Sequence, residues 1–180
     1  MYRFMGGLLA AAPSQDLING IANLSGDRTP MGQAITALAT AARAARAEDV
    51  AREFFELFVG VGRGELLPYG SFYQTGFLNE RPLAEVRADL ARLGVARAEG
   101  RFEPEDHIAL LFDVMGDLAS GDLPAEAGME ARFFACHIAP WAAQFFDDLA
   151  IAPSAGFYRP VAEVGRLLVD IESRAFSLAA

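Results

Sequence analysis

Glu103-Pro104-Glu105-Asp106-His107 stands directly before Ile108-Ala109-Leu110-Leu111-Phe112-Asp113-Val114-Met115-Gly116-Asp117-Leu118-Ala119-Ser120. The run is strongly apolar, and its apolar positions recur at helical spacing. Pro104 is suited to the first helical position, where its missing N–H would be unpaired anyway. Gly121 is suited to the C′ position. The spacing therefore predicts a helix from Pro104 to Ser120. Glu105 and Asp106 then fall in the first turn, where carboxylates favour the positive end of the helix dipole. His107 shares a face with Leu111, Val114 and Leu118, so it is expected to lean inward. Asp106 shares a face with Asp113 and Asp117 and is expected to point to the surface.

Working outward, the rest of the chain also reads as helix. Tyr2 to Ala12 forms a first helix ended by Pro13. Ser14 caps a second through Leu24, with Leu17, Ile18, Ile21 and Leu24 on one face. Pro30 opens a long third helix with Ile35, Leu38, Ala42 and Ala45 as its stripe. Glu48 to Val59 follows, burying Val50, Phe54, Leu57 and Phe58. A loop with Gly60, Gly62 and Gly64 leads to Pro68-Tyr69-Gly70-Ser71. Ser71 is expected to cap a short helix, Phe72 to Leu78. Pro82 starts another that ends near Gly94, with Leu83, Val86, Leu90 and Leu93 inward, and residues 95–102 form a connection. Pro124 to Leu149 reads as one or two helices, because Pro140 breaks or kinks them. The last runs from Tyr158 to Leu178, with Val161, Val164, Leu168 and Ile171 inward. β-Branched residues are sparse and no segment alternates for long. The fold class is all-α, a single globular domain over residues 1–180 with about nine or ten helices.

Apolar residues are 53% of the 180, with 14 Phe, enough for a sizeable core. No apolar run approaches the roughly 18 residues of a membrane span. Met1 to Pro13 faintly imitates a secretory signal, but Gly6-Gly7 interrupt it and an amphipathic helix is the better reading. One cysteine, Cys136, excludes an intramolecular disulfide. Between Phe133, Phe134 and Ile138 it reads as a small buried apolar side chain. One Cys and two His give no metal motif, and no metal or cofactor is expected. The net charge of −9 disfavours nucleic acid and anionic lipid as partners. The charge is uneven: residues 99–130 hold nine acids against Arg101, a net −8. This is a solvated acidic surface, or one that attracts a cationic partner.

His107 is open to two readings, a core histidine satisfied by a neighbouring polar group and a ligand or switch residue. Catalysis by Asp106 and His107 would need a nucleophile in reach and an orienting third group. There is no Gly-x-Ser-x-Gly elbow. Gly60-Val61-Gly62-Arg63-Gly64 follows a helix rather than a strand, unlike a phosphate-binding loop.

Four stretches, in order, resemble the TorD/DmsD family of redox-enzyme maturation chaperones. They are Phe54-Phe55-Glu56-Leu57-Phe58-Val59-Gly60, Leu67-Pro68-Tyr69-Gly70-Ser71-Phe72-Tyr73, Glu103-Pro104-Glu105-Asp106-His107, and Phe134-Ala135-Cys136-His137-Ile138-Ala139-Pro140-Trp141. Phe157-Tyr158 also fits, and the similarity covers about residues 1–175. The resemblance implies a TorD-like helical fold and a cytoplasmic chaperone rather than an enzyme. Its partners would be the apo form of a molybdopterin oxidoreductase and that enzyme's twin-arginine leader peptide, with a homodimer as a further option. It implies leader or client binding by Tyr69, Phe72, Tyr73, Pro104, Asp106 and His107. Glu103, Glu105, Asp113 and Asp117 would form an acidic rim for the leader's arginines. The family usually has several residues before the first tyrosine, so a shortened first helix is expected. Two alternatives remain at this stage. One is a helical enzyme or small-molecule-binding protein with Asp106 and His107 in a pocket. The other is an interaction module in which the pair serves only the helix start.

Overall fold

The computed structural model describes residues 1–96 and 103–179. Its elements are α1 (Tyr2–Ala10), α2 (Gln15–Ala22), α3 (Pro30–Ala44), α4 (Ala47–Phe54) with a π-helical turn (Phe55–Val59), α5 (Gly70–Thr75), α6 (Arg81–Arg92), α7 (Ile108–Ser120), α8 (Met129–His137), α9 (Ala142–Ile151) and α10 (Tyr158–Ala179). Among the described residues there is no strand, only one isolated antiparallel bridge between Tyr69 and His107. The protein is all-α. Most of the connection expected at 95–102 lies outside the described residues.

Local chemistry explains most helix limits. The Ser14 hydroxyl accepts the Leu17 N–H, and Thr29 accepts from Gly32 ahead of Pro30. Gly121 closes α7 in the left-handed region. α8 ends at His137, three residues before Pro140, so Pro124 to Leu149 holds two helices.

The chain forms two compact units. One comprises residues 1–10, 68–142 and 175–180; the other comprises 11–67 and 143–174. In the first, α1 and α7 pack on each other, and α6 and α7 pack on α8. Met5, Leu8, Leu111, Phe112, Met115 and Phe133 are fully buried there. The Tyr2 ring meets Phe112 edge-on at 5.5 Å, and Arg3 pairs with Asp117 and Asp122.

In the second unit, α2 packs on α3. Its core is a run of touching rings: Phe54 on Phe58, then Phe58 on Phe145 and Tyr158, then Phe145 on Phe146. Such pairs add roughly 0.5–1.5 kcal/mol each beyond area burial. Gly165 of α10 lets the fully buried Phe146 ring approach the helix backbone, because a Cβ there would overlap the ring. Gly165→Ala is expected to destabilise the protein by about 2 kcal/mol by overpacking, despite alanine's better helix propensity. Urea unfolding measures this directly; an unchanged midpoint would show that Phe146 moves aside without cost.

Several sequence expectations are corrected. Leu17, Leu24 and Ile171 are exposed although on the expected inner faces, because these helices bury stripes narrower than their apolar content. Cys136 is exposed; Phe133, Phe134 and His137 take the buried positions of α8. Residues 55–59 wind as a π-turn, which turns Phe55 and Val59 outward while Leu57 stays buried. The helix after Pro68 begins at Gly70, so Ser71 lies inside its first turn, fully buried, and does not cap it.

Candidate functional site: the joined Pro68 and Glu103 segments

α7 does not start at Pro104. Residues 104–107 form a turn in which the His107 N–H reaches the Pro104 carbonyl at 3.1 Å. The helix begins at Ile108, with His107 as its N-cap in extended conformation. His107 Nδ1 accepts the Ala109 N–H at 3.1 Å; that nitrogen therefore carries no proton, and in the neutral ring the proton sits on Nε2. The ring is half-buried at the helix start. Local propensity favours Pro104 as a start, but a non-local contact overrides it. The Gly70 N–H donates to the Asp106 carbonyl, and the Ile108 N–H donates to the Pro68 carbonyl, each at 2.9 Å. Those two bonds are the Tyr69–His107 bridge, and they hold His107 extended ahead of the helix.

Asp106 also departs from its expected place. It is fully buried rather than surface-facing, and its Oδ2 accepts the Ser71 N–H at 2.7 Å. Asp106 thus supplies, from 35 residues away, the capping carboxylate that α5 lacks locally. Its other oxygen and the Ser71 hydroxyl have no protein partner among the described residues.

This knitting brings together most of the residues singled out from sequence. The Tyr69 ring meets His107 edge-on at 5.0 Å. Phe72 meets Tyr73 edge-on, and Tyr73 stacks on Trp141 at 5.4 Å. Trp141 is buried and donates to the His137 carbonyl at 2.7 Å. Gly70 permits this packing, since a Cβ there would stand 3.0 Å from the indole nitrogen. Tyr69, Phe72, Tyr73, Pro104 and His107 are all half-buried, each offering part of its side chain to solvent. Beyond this cluster, Phe77 and Leu78 are exposed after the left-handed end of α5 at Gly76.

The four acids expected at the rim have different surroundings. Glu105 is pinned to Arg87 at 2.8 Å and little exposed. Asp117 belongs to the Arg3 network, and Asp113 is half-buried near Gly6. Glu103 is exposed, and it accepts a hydrogen bond from the Tyr69 hydroxyl. Burial, and next that bond, push the Tyr69 phenol well above its ordinary pKa. Arg101, also in the acidic stretch, lies outside the described residues.

Sequence reasoning missed a second polar cluster in the same unit. Asp89 and His137 are both buried. Asp89 accepts from His137 Nε2 at 2.8 Å, Arg92 at 2.6 Å and Arg132 at 2.8 Å. A signal was present: Asp89 lies among Val86, Leu90 and Leu93 on the apolar side of α6, and His137 ends an apolar run. Arg92 and Arg132 also line an open cleft of about 660 Å³ with Leu93, Pro124, Ala125, Glu126 and Met129. No group of three or more His, Cys, Asp or Glu suited to a metal occurs among the described residues. No described helix is long and apolar enough to cross a membrane.

Comparison with known proteins gives a consistent result. Chaperone protein TorD of Vibrio parahaemolyticus is 31% identical over 126 residues, 64% of this chain and 59% of that protein. Chaperone protein TorD of Vibrio cholerae is 28% identical over 131 residues, 68% of this chain and 60% of its own length. The chain thus spans less than two thirds of these relatives. A crystal structure from Archaeoglobus fulgidus, described as a candidate redox enzyme maturation protein, superposes with a TM-score of 0.63 at 17% identity, covering 94% of each chain. That likeness shows the fold. Residues 25–147 match the family described as nitrate reductase delta subunit; with more than half its length inside that match, the chain belongs to this family, which is the TorD-like one that its four motifs resemble.

Proposed function

We propose that the protein is a maturation chaperone for a molybdopterin oxidoreductase. In this reading it is a single functional domain, acts in the cytoplasm without catalysis, and holds the apoenzyme or its twin-arginine leader until the cofactor is inserted. The carrying observation is the bridge that joins the Pro68–Tyr73 and Glu103–His107 segments. It sets Tyr69, Phe72, Tyr73 and His107 as a partly exposed aromatic surface beside the exposed Glu103 carboxylate. An apolar segment with arginines matches that chemistry: rings for the apolar part, a carboxylate for guanidinium. The TorD relatives support the chaperone role by their names. Asp106 and His107 are occupied in capping α5 and α7, which speaks for a scaffold role over acid–base chemistry.

Titration calorimetry of the protein against its client's leader and apoenzyme tests this. Binding is expected at low salt and should weaken as salt screens the charge contact. No binding to either at low salt overturns the proposal.

A further inference from the structure

Building on that reading, we infer that Glu103 is the guanidinium-recognising residue of the site, and that the Tyr69 hydroxyl occupies it until an arginine displaces it. The argument starts from which acids are available. Glu105 is held by Arg87, and Asp117 by Arg3. Asp106 is fully buried and holds the Ser71 N–H. Asp113 is half-buried on α7. Glu103 is exposed and its bonded partner is a neutral phenol, not a cation.

A carboxylate has about four lone-pair sites, and a single O–H fills one. Arginine presents two parallel N–H groups that match both oxygens and carries the opposite charge, so it makes the stronger contact. A phenol donor is therefore displaced by guanidinium. The Tyr69 ring does not have to leave, because its edge-on contact with His107 and the backbone bridge hold residue 69 in place. The freed hydroxyl can rotate to solvent or to the peptide. Tyr69 then acts twice: its ring borders the apolar part of the ligand, and its hydroxyl competes with the arginine for Glu103.

The test compares wild type, Glu103→Gln and Tyr69→Phe by titration calorimetry at low salt. The probes are a synthetic client leader with its Arg-Arg pair and the same peptide with both arginines replaced by glutamine. For wild type the arginine peptide should bind more tightly. Glu103→Gln should weaken the arginine peptide about tenfold and leave the glutamine peptide nearly unchanged. Tyr69→Phe keeps the ring and removes the competitor, so it should tighten the arginine peptide several-fold. Circular dichroism and unfolding curves confirm that both variants fold. If arginine and glutamine peptides bind wild type equally, or Glu103→Gln has no effect, the inference falls while the chaperone reading stands. If Tyr69→Phe weakens the arginine peptide, the competition is overturned. If neither peptide nor apoenzyme binds wild type, the underlying reading falls and this inference with it.

Discussion

Asp89→Ala is expected to destabilise the protein by about 4 kcal/mol, since removing one member of a buried, paired group costs roughly 3–5 kcal/mol. The Asp89 side chain is 6% exposed, and one carboxylate serves His137, Arg92 and Arg132. Its removal leaves the buried His137 nitrogen without its acceptor and frees two guanidinium groups. At this chain length, ~4 kcal/mol corresponds to a fall in Tm of roughly 10 °C. Asp89→Asn keeps an acceptor of the same shape and should cost about half as much.

The same residue gives a pH signature. Burial pushes the Asp89 carboxyl up, but the His137 and Arg92 hydrogen bonds and the Arg132 charge outweigh it, so the group sits below the ordinary carboxylate value. A depressed folded-state pKa means that the contribution is complete above the unfolded value, about 4. It is lost as pH falls through the folded value. Wild type and Asp89→Asn should therefore differ most in stability near neutral pH and converge in acid. Denaturant titrations at several pH values read this; a gap independent of pH would mean that the charge contributes nothing.

Glu53→Ala is expected to cost about 3 kcal/mol. The Glu53 carboxylate accepts three successive backbone N–H groups, from Gly156 at 2.8 Å, Phe157 at 2.9 Å and Tyr158 at 2.7 Å. These lie at the start of the 22-residue α10, where donors lack intrahelical partners and the dipole favours an anion. Losing one acceptor for three donors exceeds the loss of an ordinary cap, about 1 kcal/mol. Glu53→Gln retains one carbonyl oxygen but turns an amide donor toward one of the N–H groups, so it should fall between wild type and alanine. Unfolding curves give the cost. Hydrogen exchange at 156–158 locates it, and exchange unchanged there would place the effect elsewhere.

Helix existence and most limits were legible in the sequence because they are set locally, by Ser14, Thr29-Pro30, Gly121 and the 3.6-residue stripes. What escaped was decided by partners distant in sequence. Pro104 looks like a helix start until Pro68 and Gly70 pair with residues 106–108. Asp106 looks exposed by spacing from Asp113 and Asp117 until it is seen capping α5. Ser71 looks like the cap that Asp106 in fact provides. The aromatic residues of the candidate site are singled out by the residue patterns of a family, and not by periodicity, which carries no information about which loops meet. Glu53 and Asp89 passed unnoticed because a single acid in a helix reads as surface until its partners are known.

The Tyr69–His107 bridge closes a loop of nearly forty residues. Closure of that length opposes folding by ~3 kcal/mol of chain entropy, recovered only when both segments are seated. The proposed aromatic surface is thus absent from any short fragment and from any copy that has not completed its fold. A helper protein built this way carries its own licence: only a molecule that has itself matured presents the surface with which it would attend to another.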